Sequence, residues 1–130
     1  MSANLTFHGH SACSIQHGDV NILVDPFFTG NPQADQAAES VRCTHVALTH
    51  GHEDHFGDTV SIAKRNDAVV VAAYEIINYL AEEGHEKGIP GNPGGRIMLG
   101  DDAWIAFTHA FHSSSYHGRY MGMPCGLIIH

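Results

Sequence analysis

The sequence predicts an α/β (α+β) domain, on three observations. β-Branched runs stand near both ends, at residues 20–24 and 126–129. Between them, β-prone runs at 45–49 and 68–72 alternate with a stretch of helical period at 74–83. The chain of 130 residues is 43% hydrophobic and 15% charged, which suits one folding unit with a buried core. In order, residues 5–8 and 12–16 are β-prone, and the turn His17-Gly18-Asp19 leads into 20–24, an antiparallel hairpin that opens the domain. Asp25-Pro26 ends the third strand because proline lacks the ladder N–H, and the segment through Gly30-Asn31-Pro32 reads as loop. A short helix is expected across 33–40, a strand at 45–49 and a strand-to-helix loop over 49–57. The next helix runs to about Arg65 and is capped by the Asp58 carboxylate. Ile76, Ile77 and Leu80 set the period of the helix 74–83, which Gly84 stops. The Gly/Pro-rich segment 88–95 reads as irregular, and strands follow at 96–99, 103–110 and 126–129. The last of them runs into His130, so the single domain 1–130 is expected to be incomplete at its C-terminus.

Six basic residues against 14 acidic ones give a formal charge of −8, which repels phosphate backbones and anionic lipid heads. Nucleic-acid and membrane partners are therefore not expected, and with no apolar span or secretion signal the expected compartment is the cytoplasm. Twelve histidines spread through the chain point to metal, since imidazole is the commonest metal ligand. Cys13, Cys43 and Cys125 are odd in number and far apart, which excludes a disulfide framework or a zinc knuckle and leaves them as buried small residues.

The chemistry concentrates in Thr49-His50-Gly51-His52-Glu53-Asp54-His55-Phe56-Gly57-Asp58, which contains HxHxDH. In an extended loop, residues two apart point the same way, so His50 and His52 can approach one cation together. Asp54 and His55, beyond the next bend, can face a second position. Gly51 and Gly57 allow the bends. His52-Glu53-Asp54-His55 is not the zincin HExxH, because its second histidine comes one residue early. Gly9-His10-Ser11-Ala12-Cys13 lacks the second glycine of a nucleophile elbow.

Residues 49–58 resemble the metal-binding motif of the metallo-β-lactamase superfamily. Five further stretches narrow the resemblance to the UPF0173-type metal-dependent hydrolases, related to the ascorbate-phosphate lactonases. They are Gly9-His10-Ser11-Ala12, Leu23-Val24-Asp25-Pro26-Phe27, Gly30-Asn31-Pro32, Asn92-Pro93-Gly94-Gly95 and Ala110-Phe111-His112-Ser113-Ser114-Ser115. The resemblance implies an αββα sandwich, of which this chain supplies about the first half, and a metal site at one edge. It gives His50, His52 and His112 to a first metal and Asp54 and His55 to a second. The family's bridging aspartate and last histidine fall beyond the strand 126–129, and His130 does not replace them. The implied function is a hydrolase that turns metal-activated hydroxide on a lactone, ester or phosphoester bond, with Asp54 orienting it and later carrying a proton. Zinc is expected first, with manganese or iron as alternatives. The complete site would hold two ions, and this chain alone one or none. The rival reading is a metal-binding half-subunit without turnover until a partner, a second copy or a complementary C-terminal half completes it.

Asp25 is expected to accept from a ligand imidazole, fixing its tautomer. His10 is expected either to touch substrate or to be buried with a backbone partner. His109 is a weaker rival to His112, because strand alternation turns it away. The serines 113–115 either shape the ligand loop or form a plain turn. His17, His45, His85 and His117 fit no constellation.

Overall fold

Alternation of apolar side chains in the central strands decides how this chain layers. The structure, a computed structural model, describes residues 2–130; Met1 lies outside the described residues. β1 (Asn4–Gly9), β2 (Ala12–His17) and β3 (Val20–Val24) form an antiparallel meander. β4 (His45–Ala47), β5 (Val69–Ala72) and β6 (Gly88–Pro90) join it in parallel, giving a six-stranded sheet ordered β1-β2-β3-β4-β5-β6. The crossovers carry a 3-10 turn at Ala38–Ser40, then α1 (Glu53–Phe56) with α2 (Thr59–Asn66), then α3 (Tyr74–Glu82). β7 (Ile97–Met98) and β8 (Trp104–His109) precede a small hairpin, β9 (Ser115–Tyr116) and β10 (Arg119–Tyr120). β11 (Cys125–Ile129) then completes a second, antiparallel sheet ordered β11-β8-β7.

Leu23, Val46 and Val70 stand in register across β3, β4 and β5. They pack with Ile62 of α2 and with Ile76 and Leu80 of α3. Their neighbours Ile22, Val24, Ala47 and Val71 face the other way, against Ile105, Phe107 and Cys125 of the second sheet. Burial of both faces explains why β4 and β5 read as continuous apolar runs. The layers are therefore helices, six-stranded sheet, second sheet, the first three layers of the expected αββα order. On the outer face of the second sheet, Ile128 is half exposed, and no helix covers that face among the described residues.

Several local expectations are corrected. Residues 33–40 are not a helix beyond the turn at Ala38–Ser40: the Asn31 side chain accepts from Gln33 N and donates to Phe27 O, holding the segment in tight turns. The loop 49–57 contains one helical turn, α1, where the N–H groups of His55 and Phe56 return to His52 O. Asp58 precedes α2 without capping it through its side chain. Its carboxylate is drawn off to Phe28 N, Thr29 N and Thr29 Oγ1. Segment 88–95 begins with a strand, β6, at the sheet edge, where Pro90 needs no ladder N–H. The two-residue strands β9 and β10 were not expected. Cys43 and Cys125 are buried as expected, but Cys13 is only half-buried.

Candidate metal centre

The site gathers at one end of the six-stranded sheet, from turns that follow β1, β3, β4 and β8. Two of these turns carry non-glycine residues in the left-handed region, His10 (φ 56°) and Asp25 (φ 44°). Such conformations cost energy and persist where surrounding contacts impose them. Asp25 is held by its N–H to Ala47 O at 3.1 Å. His10 donates its N–H to Gln33 Oε1 at 3.2 Å. Beneath it, the buried His8 is fixed by Ser14 and Asp35, which ties segment 31–36 to β1.

Asp25 is 2% exposed. One of its carboxylate oxygens accepts from Thr49 N at 2.9 Å, and the other accepts from Thr49 Oγ1 at 2.6 Å and His55 Nδ1 at 2.8 Å. Thr49 Oγ1, its proton given to Asp25, is left to accept from His50 Nδ1 at 2.9 Å. One carboxylate thus places the proton of both imidazoles on Nδ1 and turns the lone pair of each Nε2 into the site. The sequence reading gave Asp25 one imidazole; the fold gives it two, the second through Thr49.

Two groups of three donors result, each with its ligand atoms within 4.8 Å of one another: His50, His52 and His112, and His10, Asp54 and His55. In the first, His50 Nε2 lies 3.1 Å from His52 Nδ1, and the His112 ring packs at 4.7 Å and 5.0 Å from the two others. In the second, Asp54 Oδ2 is 3.3 Å from His10 Nε2 and 3.9 Å from His55 Nε2. The groups adjoin, with the His50 and His55 ring centroids 4.2 Å apart. His10 is exposed, which corrects the alternative of burial with a backbone partner. His109, exposed at the end of β8, is in neither group.

The serines after His112 are more than a turn. Ser114, buried, accepts from Gly51 N at 3.0 Å, and Ser113 Oγ lies 3.2 Å from His52 Nε2. Sequence reasoning missed Thr49 and Ser11 altogether; the only signal was a hydroxyl next to a histidine in each case. Of the histidines outside the site, His85 is buried and its Nε2 donates to Ala68 O at 2.8 Å. Beside Asp54 opens a cleft of about 620 Å³ whose walls include Phe27, Glu53, Asp58 and Tyr116.

Burial, reinforced by the neighbouring His55, pushes the His50 imidazole down to about 4 despite the opposing Asp25 charge. His55 is raised, first by its hydrogen bond to Asp25. His50 is therefore neutral at physiological pH, the state a metal requires. Imidazole nitrogens and one carboxylate, which has no Lys or Arg partner among the described residues, form a donor set that fits a divalent cation. In the metal-free chain, imidazole NMR signals should show His50 titrating near pH 4 and His55 above the ordinary 6.5. A common midpoint for both would refute this ordering. Because the unfolded chain binds the His50 proton more readily, that residue's contribution to stability grows as pH rises from about 4 to 6.5. The His55 contribution is complete below 6.5 and is lost as pH rises through its raised value.

Comparison with known proteins bears on this site. The model of the metallo-β-lactamase superfamily matches residues 5–122. A protein of Anoxybacillus flavithermus named UPF0173 metal-dependent hydrolase is 46% identical over 131 residues, covering 97% of this chain and 57% of its own length. A relative of the same kind in Bacillus cytotoxicus is 45% identical, with 96% and 57% covered. The chain thus spans little more than half the length of these curated relatives. Among solved structures, Igni18, described as a metallo hydrolase from the archaeon Ignicoccus hospitalis, superposes with a TM-score of 0.85 at 36% identity, over 98% of this chain and 55% of Igni18. CmlA, a diiron β-hydroxylase from Streptomyces venezuelae, shares the fold with a TM-score of 0.75 at 18% identity, over 98% of this chain and 27% of CmlA.

Proposed function

Because the chain belongs to the metallo-β-lactamase superfamily, we propose that it is a metal-dependent hydrolase acting on a lactone, ester or phosphoester bond. The observation that carries this reading is the pair of adjoining three-donor groups. His50, His52 and His112, and Asp54 and His55, would hold divalent metal, which would supply Lewis acidity and make water more acidic. Zinc suits the imidazole and carboxylate donors best, ahead of manganese or iron. The histidines hold position, and Asp25 keeps His50 and His55 in one tautomer. Asp54, its side chain 52% exposed beside the cleft, is the catalytic residue: its carboxylate orients the attacking water and takes a proton from it. The cleft admits the rest of a small-molecule substrate. The net charge of −8 suits small solutes better than anionic polymers, and the proposed compartment is the cytoplasm; among the described residues no helix is long and apolar enough to cross a membrane.

The test is a panel of aryl esters, lactones and phosphodiesters offered to zinc-, manganese- or iron-loaded protein. Hydrolysis of at least one class that is abolished by EDTA and restored by metal, and that falls to the metal-free rate in Asp54→Ala, is the expected outcome. Turnover indifferent to EDTA would refute the reading.

A second reading is favoured by the share of the relatives' length that the chain spans, 57%: a metal-binding half-subunit, completed by a second copy or by a complementary C-terminal half. Native mass spectrometry separates the two. Metal-loaded 14.1 kDa particles without turnover favour the half-subunit, and turnover by the chain itself favours the enzyme.

A further inference from the structure

We infer that His10 is a ligand, the third protein donor to the second metal position, so that residues of this chain alone can hold two divalent cations. The inference rests on the metal-centre reading and extends it to a residue outside the HxHxDH stretch. His10 Nε2 lies 3.3 Å from Asp54 Oδ2, and its ring meets that of His55 edge-on at a centroid distance of 5.2 Å. Ser11 Oγ lies 2.7 Å from His10 Nδ1 and 3.2 Å from His55 Nδ1. A single hydroxyl therefore engages the far nitrogen of both rings and leaves both Nε2 atoms on the side of Asp54. Two imidazole nitrogens and one carboxylate oxygen, mutually within 4.8 Å, form the three-donor set of an open metal site, with the remaining positions left to solvent or substrate.

The backbone at His10 supports the same role. An imidazole that merely touched solvent would not need φ of 56°, a conformation uncommon for non-glycine residues. Here it is imposed from two sides. Gln33 Oε1 takes the His10 N–H. Gly9, also at positive φ (102°), lies so close to the Gln33 backbone that a Cβ at Gly9 would overlap it. Phe27 then closes the outer side of the ring, edge-on at 5.5 Å. The turn so held carries His10 to Asp54.

Hydrogen bonding to Asp54 alone would explain the 3.3 Å contact, and the experiment separates that role from ligation. Zinc is titrated into metal-free protein by calorimetry, with bound zinc counted after dialysis, for wild type and His10→Gln, which keeps a donor toward Asp54 but removes the ring nitrogen. In parallel, the His10 Nε2 signal of the wild type is followed by ¹H–¹⁵N correlation NMR. We expect two equivalents in the wild type. In the variant the first equivalent is unchanged and the second weakened at least about tenfold. The His10 Nε2 signal should move to the metal-bound range only as the second equivalent is added. Equal binding of both equivalents by His10→Gln, a His10 signal that zinc leaves in place, or a wild type that binds fewer than two would each overturn the inference. If the variant fails to fold, the wild-type NMR decides. Binding of a single equivalent would sink the role of His10 while leaving the hydrolase reading intact, whereas no binding at all would remove both.

Discussion

Asp25→Ala is expected to lose stability and metal together. The carboxylate is buried and accepts three hydrogen bonds, from Thr49 N, Thr49 Oγ1 and His55 Nδ1. Alanine leaves those donors without their acceptor at a position only 2% exposed. The cost of such orphaned groups is about 3 kcal/mol or more. Alanine would also sit at φ of 44°, which adds strain. Without the acceptor, neither His50 nor His55 has a reason to keep its proton on Nδ1, so metal affinity should fall by about 10- to 100-fold. Asp25→Asn separates the two effects. Its amide keeps one acceptor oxygen and tolerates positive φ, so it should fold more stably than the alanine variant yet bind metal nearly as poorly. Denaturant unfolding of the apo proteins and zinc calorimetry read the two quantities. An alanine variant that unfolds and binds like wild type would show that the hydroxyl and imidazole network positions nothing.

Gly57→Ala should be among the most destabilising single-methyl changes around the site. Gly57 ends α1 at φ 43° and ψ −121°, a combination open to glycine. A Cβ there would lie 2.5 Å from Pro26 O and 2.7 Å from Phe27 Cα. Both are backbone atoms, and the same segment receives Asp58 N at Pro26 O and the Asp58 carboxylate at Phe28 and Thr29. Neither side can yield without uncoupling the turn after β3 from the turn after β4, the two that carry Asp25 and the HxHxDH residues. A loss of about 3 kcal/mol, read as a fall in Tm of about 10 °C, is expected. Gly18→Ala is the control, because a Cβ at that positive-φ glycine meets nothing within 4 Å and should cost only about 1 kcal/mol. Equal melting of the two variants would mean that the Pro26–Gly57 contact is not tight.

What could be read before the structure, and what could not, divides along range of interaction. Strands β3, β4 and β5 and helix α3 declare themselves because β-branched runs and a 3.6-residue period are local signals, and here the packing agrees with them. The helix expected at 33–40 fails because Asn31 bonds the backbone on either side of Pro32. Asp58 does not cap because the N–H groups of Phe28 and Thr29, thirty residues away, compete for it successfully. The same division runs through the site. His50, His52, Asp54 and His55 stand out by spacing alone. His112 could be singled out only by the resemblance of its flanking residues. That His10 stands against Asp54 was illegible, since 44 residues separate the two and no periodicity links them. The path from Asp25 through Thr49 to His50 was equally hidden, because a hydroxyl beside a histidine is too common a pair to notice.

The order of the large sheet carries a consequence for assembly in time. Its six strands lie side by side in the same order as they occur along the chain, so each strand, once synthesised, finds its partner already made and closes only the one connection that precedes it. His10, Asp25, Asp54 and His55 all belong to the stretch that ends just after β4. His112 arrives more than fifty residues later, from the far sheet. The carboxylate-bearing half of the centre can therefore form while the chain is still growing, and the three-histidine half is closed last. On the proposed reading, the metal position that relies on Asp54 is the one a nascent chain can fill first.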